Sequence, residues 1–236
     1  MGRETIISWT QRTWNPWRGC TRISPGCKNC YMFRAQQRYG HDPSVVVRTK
    51  TWAEPLRWQR VAEREHNTEL VFTCSWSDWF HEDADEWRDE AWSLVRQCSN
   101  LVFQILTKRP ERVLDHLPHD WSDGYENVWL GVSIENEDYV WRADVLRKIP
   151  ARVRFISAEP LLGPLPNLVF DGFHWLIVGG ESGAGFRNMD NNWARDLRDR
   201  ALAADVPFFF KQSAALRTEM GTLLDGVAWR EYPTVR

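Results

Sequence analysis

From residue 66 onward, short apolar runs alternate with stretches of mixed polar and apolar residues. Each run is rich in Val, Ile, Leu, Phe or Trp and has the length of a strand buried on both faces. The runs lie at 70–74, 101–107, 128–134, 153–157, 174–178 and 206–210, and a first strand is expected around 6–13. The stretches with helical spacing lie at 83–98, 110–117, 137–148 and 191–204. The pattern predicts strands that alternate with helices.

This alternation is typical of parallel βαβ units and predicts an α/β fold. The number of strands favours a complete or partial (β/α) barrel, TIM-like and with about six to eight parallel strands. A doubly wound sheet is the alternative. No linker, low-complexity tract or internal repeat divides the 236 residues, so a single domain is expected over 1–236.

Polar residues follow nearly every predicted strand. They are Ser75, Asp78, Thr107, Lys108, Arg109, Ser133, Glu135, Asn136, Glu159, Gly179, Gly180, Glu181, Ser182, Lys211 and Gln212. The C-terminal ends of barrel strands meet on one face, where active sites lie, and a lone charge directly after an apolar strand is costly to bury. We therefore expect Glu135, Glu159, Glu181 and Lys211 to share one pocket. Buried ion pairs that fix the register of the barrel are the alternative.

Three cysteines near the N-terminus, Cys20, Cys27 and Cys30, form a C-x6-C-x2-C pattern. Clustered thiolates bind zinc or iron–sulfur clusters, whereas an odd total of five cysteines with no signal peptide disfavours a disulfide framework. A structural zinc ion needs a fourth ligand, and the sequence offers no second cysteine pair. Three cysteines would leave one iron of a [4Fe–4S] cluster open to a small molecule. Zinc, a cluster and unliganded thiols all remain open, and Cys74 and Cys98 are expected to be core residues.

The net charge of −2 is unevenly distributed along the chain. Residues 1–64 hold twelve Lys or Arg against four acids, a net charge of +8, so the remainder carries −10. Such asymmetry indicates either a surface for partners that bear phosphate or a solvated helix face. Among the 15 Trp, Trp14, Trp17, Trp76 and Trp79 are close to the motif and could line a pocket for a planar ligand. No run approaches the ~18 apolar residues that span a membrane, so we expect a cytoplasmic protein without membrane association.

Several longer motifs occur in order along the chain. They are TWNP at 13–16, CTRISPGCKNCY at 20–31, LTKRP at 106–110, LGVSIE at 130–135, SAEPLLG at 157–163, VGGESG at 178–183, PFFFKQ at 207–212 and LDG at 224–226. The cysteine loop resembles that of radical S-adenosylmethionine (SAM) enzymes. Over nearly its full length, the chain more closely resembles the phage-encoded three-cysteine-motif family of radical-SAM-like proteins.

This resemblance implies a [4Fe–4S] cluster held by Cys20, Cys27 and Cys30, in a loop at 15–31, with SAM bound at the open iron. An external electron donor would reduce the cluster, which would cleave SAM to methionine and a radical that abstracts hydrogen from substrate. On this basis Glu159 and Lys211 are candidate catalytic residues. The candidate cofactor-binding residues are Asn29, Tyr31, Ser75, Lys108, Glu135, Gly179, Gly180 and Glu181.

The sequence departs from the usual radical SAM pattern in three places. Six residues, rather than three, separate Cys20 from Cys27, and Asn29 stands where many such enzymes carry an aromatic residue. The glycine-rich Gly179-Gly180-Glu181 resembles the superfamily's SAM-amine motif but follows a late strand, so a tight strand-to-helix turn is an equal alternative.

The substrate is less defined than the cofactors. A nucleobase or nucleotide, in phage DNA modification, is preferred because of the basic N-terminal segment and the abundant aromatic residues. The alternatives are a peptide-modifying radical SAM enzyme, a non-catalytic zinc or iron–sulfur binding module, and a barrel that has lost its cluster and acts as a partner protein.

Overall fold

A computed structural model describes residues 5–234, and its main feature is a curled sheet of seven parallel strands. The strands of the chain are β1 (Arg12–Trp14), β2 (Trp17–Arg18), β3 (Val47–Arg48), β4 (Glu69–Thr73), β5 (Leu101–Thr107), β6 (Val128–Ser133), β7 (Val153–Ala158), β8 (Trp175–Gly179) and β9 (Phe208–Gln212). The order in the large sheet is β1-β4-β5-β6-β7-β8-β9, whereas β2 and β3 form a separate antiparallel pair. The predicted partial barrel is confirmed. The doubly wound alternative is wrong, because the strands follow one another in chain order without reversal.

Among the seven predicted strands, the first has the bounds that differ most from those in the structure. It was expected around 6–13, but the strand begins only at Arg12. Before that point, the Thr10 hydroxyl donates to the carbonyl oxygen of Leu70 and accepts from the backbone N–H of Phe72. A side chain therefore supplies bonds to β4 that a longer strand would have made with its backbone.

Five α-helices accompany the strands: α1 (Tyr31–Arg38), α2 (Glu54–Glu65), α3 (Asp85–Arg96), α4 (Trp141–Arg147) and α5 (Asn191–Ala203). The last three confirm the predictions at 83–98, 137–148 and 191–204, and Asp190 caps α5 by accepting from the backbone N–H of Asn192. The helix predicted at 110–117 is wrong. Two 3-10 turns, Pro110–Arg112 and Leu114–His116, occupy that stretch, because Pro118 holds Leu117 in the extended region and prevents a continuing helix.

The two faces of the sheet have different cores. The helices pack on the convex face against residues such as Val71, Ile105 and Ile156. The concave face holds a second cluster, composed mainly of aromatic rings: Trp9, Phe72, Trp129, Val153, Phe155, Trp175, Ile177 and Phe209. This second cluster fills the lower part of the half-barrel and leaves its upper part to the polar residues at the C-terminal ends of the strands.

Gly131 leaves space for the aromatic cluster on the concave face. A Cβ atom at Gly131 in β6 would lie 2.3 Å from the ring of Phe155 in β7. The missing side chain lets the Phe155 ring lie across the neighbouring strand. Closer to the C-terminal ends of the same two strands, Ser133 and Ser157 have small polar side chains in place of rings. The cavity at the strand ends begins at these two residues.

The sheet does not close on itself. At one edge, β9 pairs with the chain around Arg230, and the backbone N–H of Phe210 donates to the carbonyl oxygen of Trp229. The gap between β1 and β9 is bordered by two segments outside the sheet, 5–7 and 216–218, both of which line the cavity. Within residues 5–234, no helix is long and apolar enough to cross a membrane.

Candidate functional site

The three cysteines of the motif face one cavity of about 600 Å³ at the C-terminal ends of the strands. Cys20 follows β2, Cys27 ends the 3-10 turn Pro25–Cys27, and Cys30 immediately precedes α1. Gly19 permits the entry into this loop: its φ is +99°, and a Cβ atom there would lie 2.2 Å from the carbonyl oxygen of Val45. The loop is thus folded so that all three thiols lie on one wall.

Burial affects the protonation of Cys20 and Cys30. Desolvation and, to a smaller extent, the nearby Asp78 raise the pKa of Cys20 to about 12, although the Arg109 cation acts in the opposite direction. Desolvation also raises the pKa of Cys30. Thiols in such surroundings are protonated at neutral pH, and a bound metal would have to displace the protons.

Cys74, which follows β4, also lines this cavity. Desolvation raises the pKa of its buried thiol, and the charges of Asp78 and Cys20 add to that effect. Cys98 lies in the helical core instead. The expectation that both are core residues is confirmed, since both belong to the main hydrophobic cluster, and Cys74 borders the cavity as well.

Arg109, directly after β5, connects the cysteine loop to the sheet. Its Nη1 lies 3.9 Å from the Cys20 Sγ and 3.3 Å from an Asp78 carboxylate oxygen, and its Nη2 donates to the Thr21 hydroxyl at 2.6 Å. Asp78 also accepts from the hydroxyl of Thr107 and the backbone N–H of Lys108. A buried cation is thereby held beside a cysteine thiol. Arg109 and Asp78 were not among the predicted site residues, although both follow predicted strands.

Glu135, after β6, contacts the loop from inside the protein. It is fully buried and accepts from Lys108, from Arg142 at 2.9 Å and from the Ser24 hydroxyl at 2.5 Å. Burial alone would raise the pKa of Glu135, but Lys108 and Arg142 lower it below the ordinary value. A Cβ atom at Gly26 would lie 2.6 Å from its carboxylate. Glu135 lies behind the cavity wall and holds the loop in place, while Lys108 lines the cavity.

Glu181, after β8, contacts the same loop from its other side. It accepts from the Asn29 side chain at 2.9 Å and from the backbone N–H of Arg187 at 2.8 Å. The Arg187 guanidinium pairs with Glu181 and also donates to the carbonyl oxygen of Pro25. Burial would raise the pKa of Glu181, but the hydrogen bonds from Arg187 and Asn29 lower it. Glu181 thus reaches the cavity wall while anchoring the loop.

Glu159 and Lys211 form an ion pair of a different kind. Glu159 follows β7 and Lys211 lies in β9, and the two residues line the cavity together. Their side chains remain 21% and 12% exposed. Gly179 makes space for this pair, since a Cβ atom there would lie 3.2 Å from the Glu159 carboxyl carbon.

Of the remaining candidate cofactor-binding residues, some line the cavity and others lie behind its wall. Tyr31 lines the cavity and donates its hydroxyl to the carbonyl oxygen of Ser75, and Ser75 accepts from the Asn15 side chain. Gly180 faces the chain after β9, where a Cβ atom would lie 2.2 Å from the backbone nitrogen of Ala214. Gly180 is therefore a position of close backbone approach, whereas Gly179 leaves space for a side chain.

Trp76 is also in the cavity wall. Trp14, Trp17 and Trp79 instead pack ring against ring in the convex core, where the Trp79 ring centroid lies 5.8 Å from that of Trp14 and 5.1 Å from that of Trp17. The expectation of a planar-ligand pocket lined by all four is therefore wrong for these three, because the core supplies their contacts.

The fold and the site define an α/β protein with a partial parallel barrel and a three-cysteine loop over the C-terminal ends of its strands. The chain belongs to the family DUF5131, described as a protein of unknown function, which matches residues 4–233. No curated protein matches it.

One solved structure shares the fold. It is a mutant of spore photoproduct lyase with bound AdoMet and dinucleoside spore photoproduct. The two chains are 14% identical with a TM-score of 0.51, and the match covers 84% of this chain. The chain spans 62% of the length of that protein.

Proposed function

We propose that this protein is a radical SAM enzyme whose cluster is bound by Cys20, Cys27 and Cys30. The main support is the placement of three thiols on one wall of a large cavity, at the strand ends where barrel active sites lie. The fold neighbour, which has AdoMet bound, supports the choice of cofactor.

The donor set fits a cluster better than a single ion. Among residues 5–234, no three His, Cys, Asp or Glu side chains are close enough together to hold one metal ion. A cubane presents its irons at separate corners, so its thiolates need not converge on one point. Arg109 beside Cys20, and the charge of Lys108 near Cys30, supply positive charge for an anionic cluster.

When bound and reduced, the cluster would cleave SAM and start hydrogen abstraction from substrate. The chain's own residues have three tasks in this proposal. Glu135 and Glu181 hold the loop from two sides, Tyr31 and Trp76 form apolar wall around the cofactors, and the Glu159–Lys211 pair presents a charged hydrogen-bonding group deeper in the cavity. Lys211 can donate a proton to, and Glu159 can accept one from, a substrate that separates them.

The proposed substrate is a nucleobase or nucleotide. The cavity joins an aromatic and aliphatic lower wall, including Trp9, Phe72 and Leu106, to charged groups above it, which suits a base attached to a phosphate-bearing chain. The dinucleoside ligand of the fold neighbour agrees with this choice.

The first test is the cluster itself. Protein purified and reconstituted without oxygen should contain about four irons and matching sulfide per chain. Cys20→Ala, Cys27→Ala and Cys30→Ala should each abolish iron binding, while Cys98→Ala, a buried thiol outside the cavity, serves as the control. One zinc per chain without iron uptake would refute the proposal.

The second test is the chemistry. With a chemical reductant, the reconstituted protein should convert SAM to 5′-deoxyadenosine and methionine, and an added substrate should accelerate turnover by completing the site. An intact, reducible cluster that yields no 5′-deoxyadenosine would overturn the radical mechanism and leave a structural cluster.

A zinc-binding module is the second candidate; the cysteines of the described residues are not gathered closely enough to hold one ion, and the observation in its favour is a fourth thiol, Cys74. This fourth thiol lines the same cavity as the motif cysteines, and zinc is bound by four ligands in structural sites. Cys74→Ala separates the two candidates: a cluster on three cysteines should keep its iron, whereas a four-cysteine zinc site should lose its metal.

A further inference from the structure

The cysteine loop and α1 present an unusually cationic surface at the mouth of the cavity. Residues 5–41 contain six Lys or Arg and no Asp or Glu. Of these cations, Arg22, Lys28, Arg34 and Arg38 are exposed, and we call these four the basic surface. In the described part of the chain, none of the four forms an ion pair with a carboxylate.

Several exposed arginines elsewhere on the surface differ from these four. Arg48, Arg57 and Arg96 each pair with a carboxylate at 2.6–2.9 Å, as expected for an ordinary solvated face. At the basic surface the guanidinium of Arg34 instead donates to the backbone carbonyls of Ser182 and Ala184. Arg22 stacks on the ring of Phe33, 4.0 Å from its centroid. These contacts hold the two side chains but do not neutralise their charge.

The basic surface is continuous with the cavity. Arg34 lines the cavity, and Arg38 lies one turn further along α1 on the same face. Arg22 and Lys28 belong to the cysteine loop itself. Across the mouth, the exposed Arg217 adds another cation to the wall. A polyanion bound here would pass directly over the entrance.

Exposed apolar and aromatic side chains lie between these cations. Ile23, Tyr31 and Tyr39 are 40%, 49% and 66% exposed, and each is a near neighbour in sequence of a cation of the basic surface. Alternating cations and exposed rings are the features with which proteins bind single-stranded nucleic acids, by contacting phosphates and stacking on bases.

We propose that the basic surface binds a single-stranded nucleic acid, with one nucleotide of the strand entering the cavity. The proposal rests on the proposed function only for what happens inside the cavity. A paired base could not reach the cavity without leaving its stack, so an unpaired strand is the favoured form. The substrate is thereby a nucleotide within a polymer rather than a free nucleotide.

The test measures binding of a labelled strand of about 20 nucleotides, longer than the site of a typical single-strand binding fold, to the reconstituted full chain. Affinity is followed by fluorescence anisotropy over a range of KCl concentrations, without SAM or reductant. DNA and RNA strands of the same sequence, and the DNA duplex, are compared. Wild-type protein should bind single strands with an affinity that falls steeply with salt, because phosphate contacts release counterions.

The decisive variant is Arg22→Gln/Arg38→Gln. Each cation that contacts a phosphate of a single strand adds about 0.7 to the slope of log affinity against log salt, so the slope should fall by about 1.4. Lys148→Gln/Arg152→Gln is the control matched in charge, since it removes two exposed cations before β7, at the opposite end of the sheet, although Arg152 pairs with Glu126. The control should bind like wild type. Arg34→Gln is a second variant, should the double variant fail to bind iron normally.

Stacking is tested separately with Tyr39→Ala, which should weaken binding several-fold and leave the salt slope unchanged. The proposal is overturned if the slope of the double variant equals that of wild type, or if the control weakens binding equally. It is also overturned if polyglutamate or anionic phospholipid vesicles compete as well as the unlabelled strand. Iron and sulfide are measured on the same samples. Absence of the cluster with intact strand binding would therefore refute the proposed function and not this inference.

Discussion

Glu135 and Glu159 follow neighbouring strands, and each accepts a hydrogen bond from a lysine, yet they serve different parts of the molecule. Glu135 is fully buried, also pairs with Arg142, and contacts the cysteine loop through Ser24. Within the described residues, Glu159 has one ion-pair partner, the partly exposed Lys211. That pair faces the cavity.

The number of fixed partners distinguishes a carboxylate that supports the loop from one that is able to bind a ligand. A carboxylate with several fixed partners cannot rearrange when a ligand binds, whereas a pair with one contact can open to receive substrate groups. Glu135, together with Glu181, therefore holds the loop, whereas under the proposed function Glu159 with Lys211 is the pair available to contact substrate. Both buried-pair and active-site interpretations of the strand-end charges were expected from the sequence, and each describes a different subset.

The largest expected effect is on folding stability. Glu135→Ala leaves Arg142 buried without its carboxylate, which should lower the free energy of unfolding by about 3–5 kcal/mol. Glu159→Ala should lower the free energy of unfolding by less than Glu135→Ala does, because the Glu159–Lys211 pair retains partial solvent contact. Chemical denaturation under anaerobic conditions measures both. Equal losses in the two variants would break the distinction.

Glu181, the second residue that holds the cysteine loop, should contribute less to the free energy of unfolding than Glu135. Glu181→Ala removes the partner of Arg187 and Asn29, and we expect a loss of about 1–3 kcal/mol with faster proteolysis of the cysteine loop. Asp225→Ala is the control, since its pairs with Arg195 and Arg198 are distant from the loop in sequence and partly exposed. If both variants are cleaved at the wild-type rate, Glu181 does not anchor the loop.

The sequence reveals the strands but not this division. Apolar runs such as 101–107 identify a buried strand by themselves, because the sheet is covered on both faces. Helices α1 and α2 were not predicted, since α1 buries only Met32, Phe33 and Gln36 among polar neighbours. The role of Glu135 depends on Ser24, 111 residues away. No local pattern distinguishes Glu135 from Glu159.

Arg109 offers a finer test on the opposite side of the loop. If the cluster is bound as proposed, Arg109→Gln removes a cation and an N–H donor beside Cys20, and the reduction potential should become more negative. A tenfold shift in the oxidised-to-reduced ratio at fixed potential corresponds to about 59 mV. Arg217→Gln, which removes the same charge from an exposed position of the cavity wall, should change the potential less. Equal shifts would show that only overall charge matters.

The smallest expected effect is on the pH dependence of stability. The pKa of Glu135 is lowered in the folded state from the ordinary value of 4.5, so the unfolded chain binds more protons as the pH falls. The stabilisation is complete above about 4.5 and is lost as the pH falls through the folded pKa. Glu135→Gln should flatten this acid limb in anaerobic thermal denaturation. Parallel curves for wild type and Glu135→Gln would contradict the assignment.

The open side of the half-barrel is formed by segments outside the sheet, whereas the candidate site residues are fixed in position by paired strands. The cysteines, Glu135 and Glu159 all depend on strands whose register fixes their positions. The wall between β1 and β9, by contrast, consists of segments such as 216–218, where Leu216 is 60% exposed and pairs with no strand. Changes of length or bulk there would alter the size of the entrance without unpairing the sheet. The entrance can therefore be redesigned for larger or smaller ligands at this wall while the positions of the three cysteines and of the strand-end side chains are left intact.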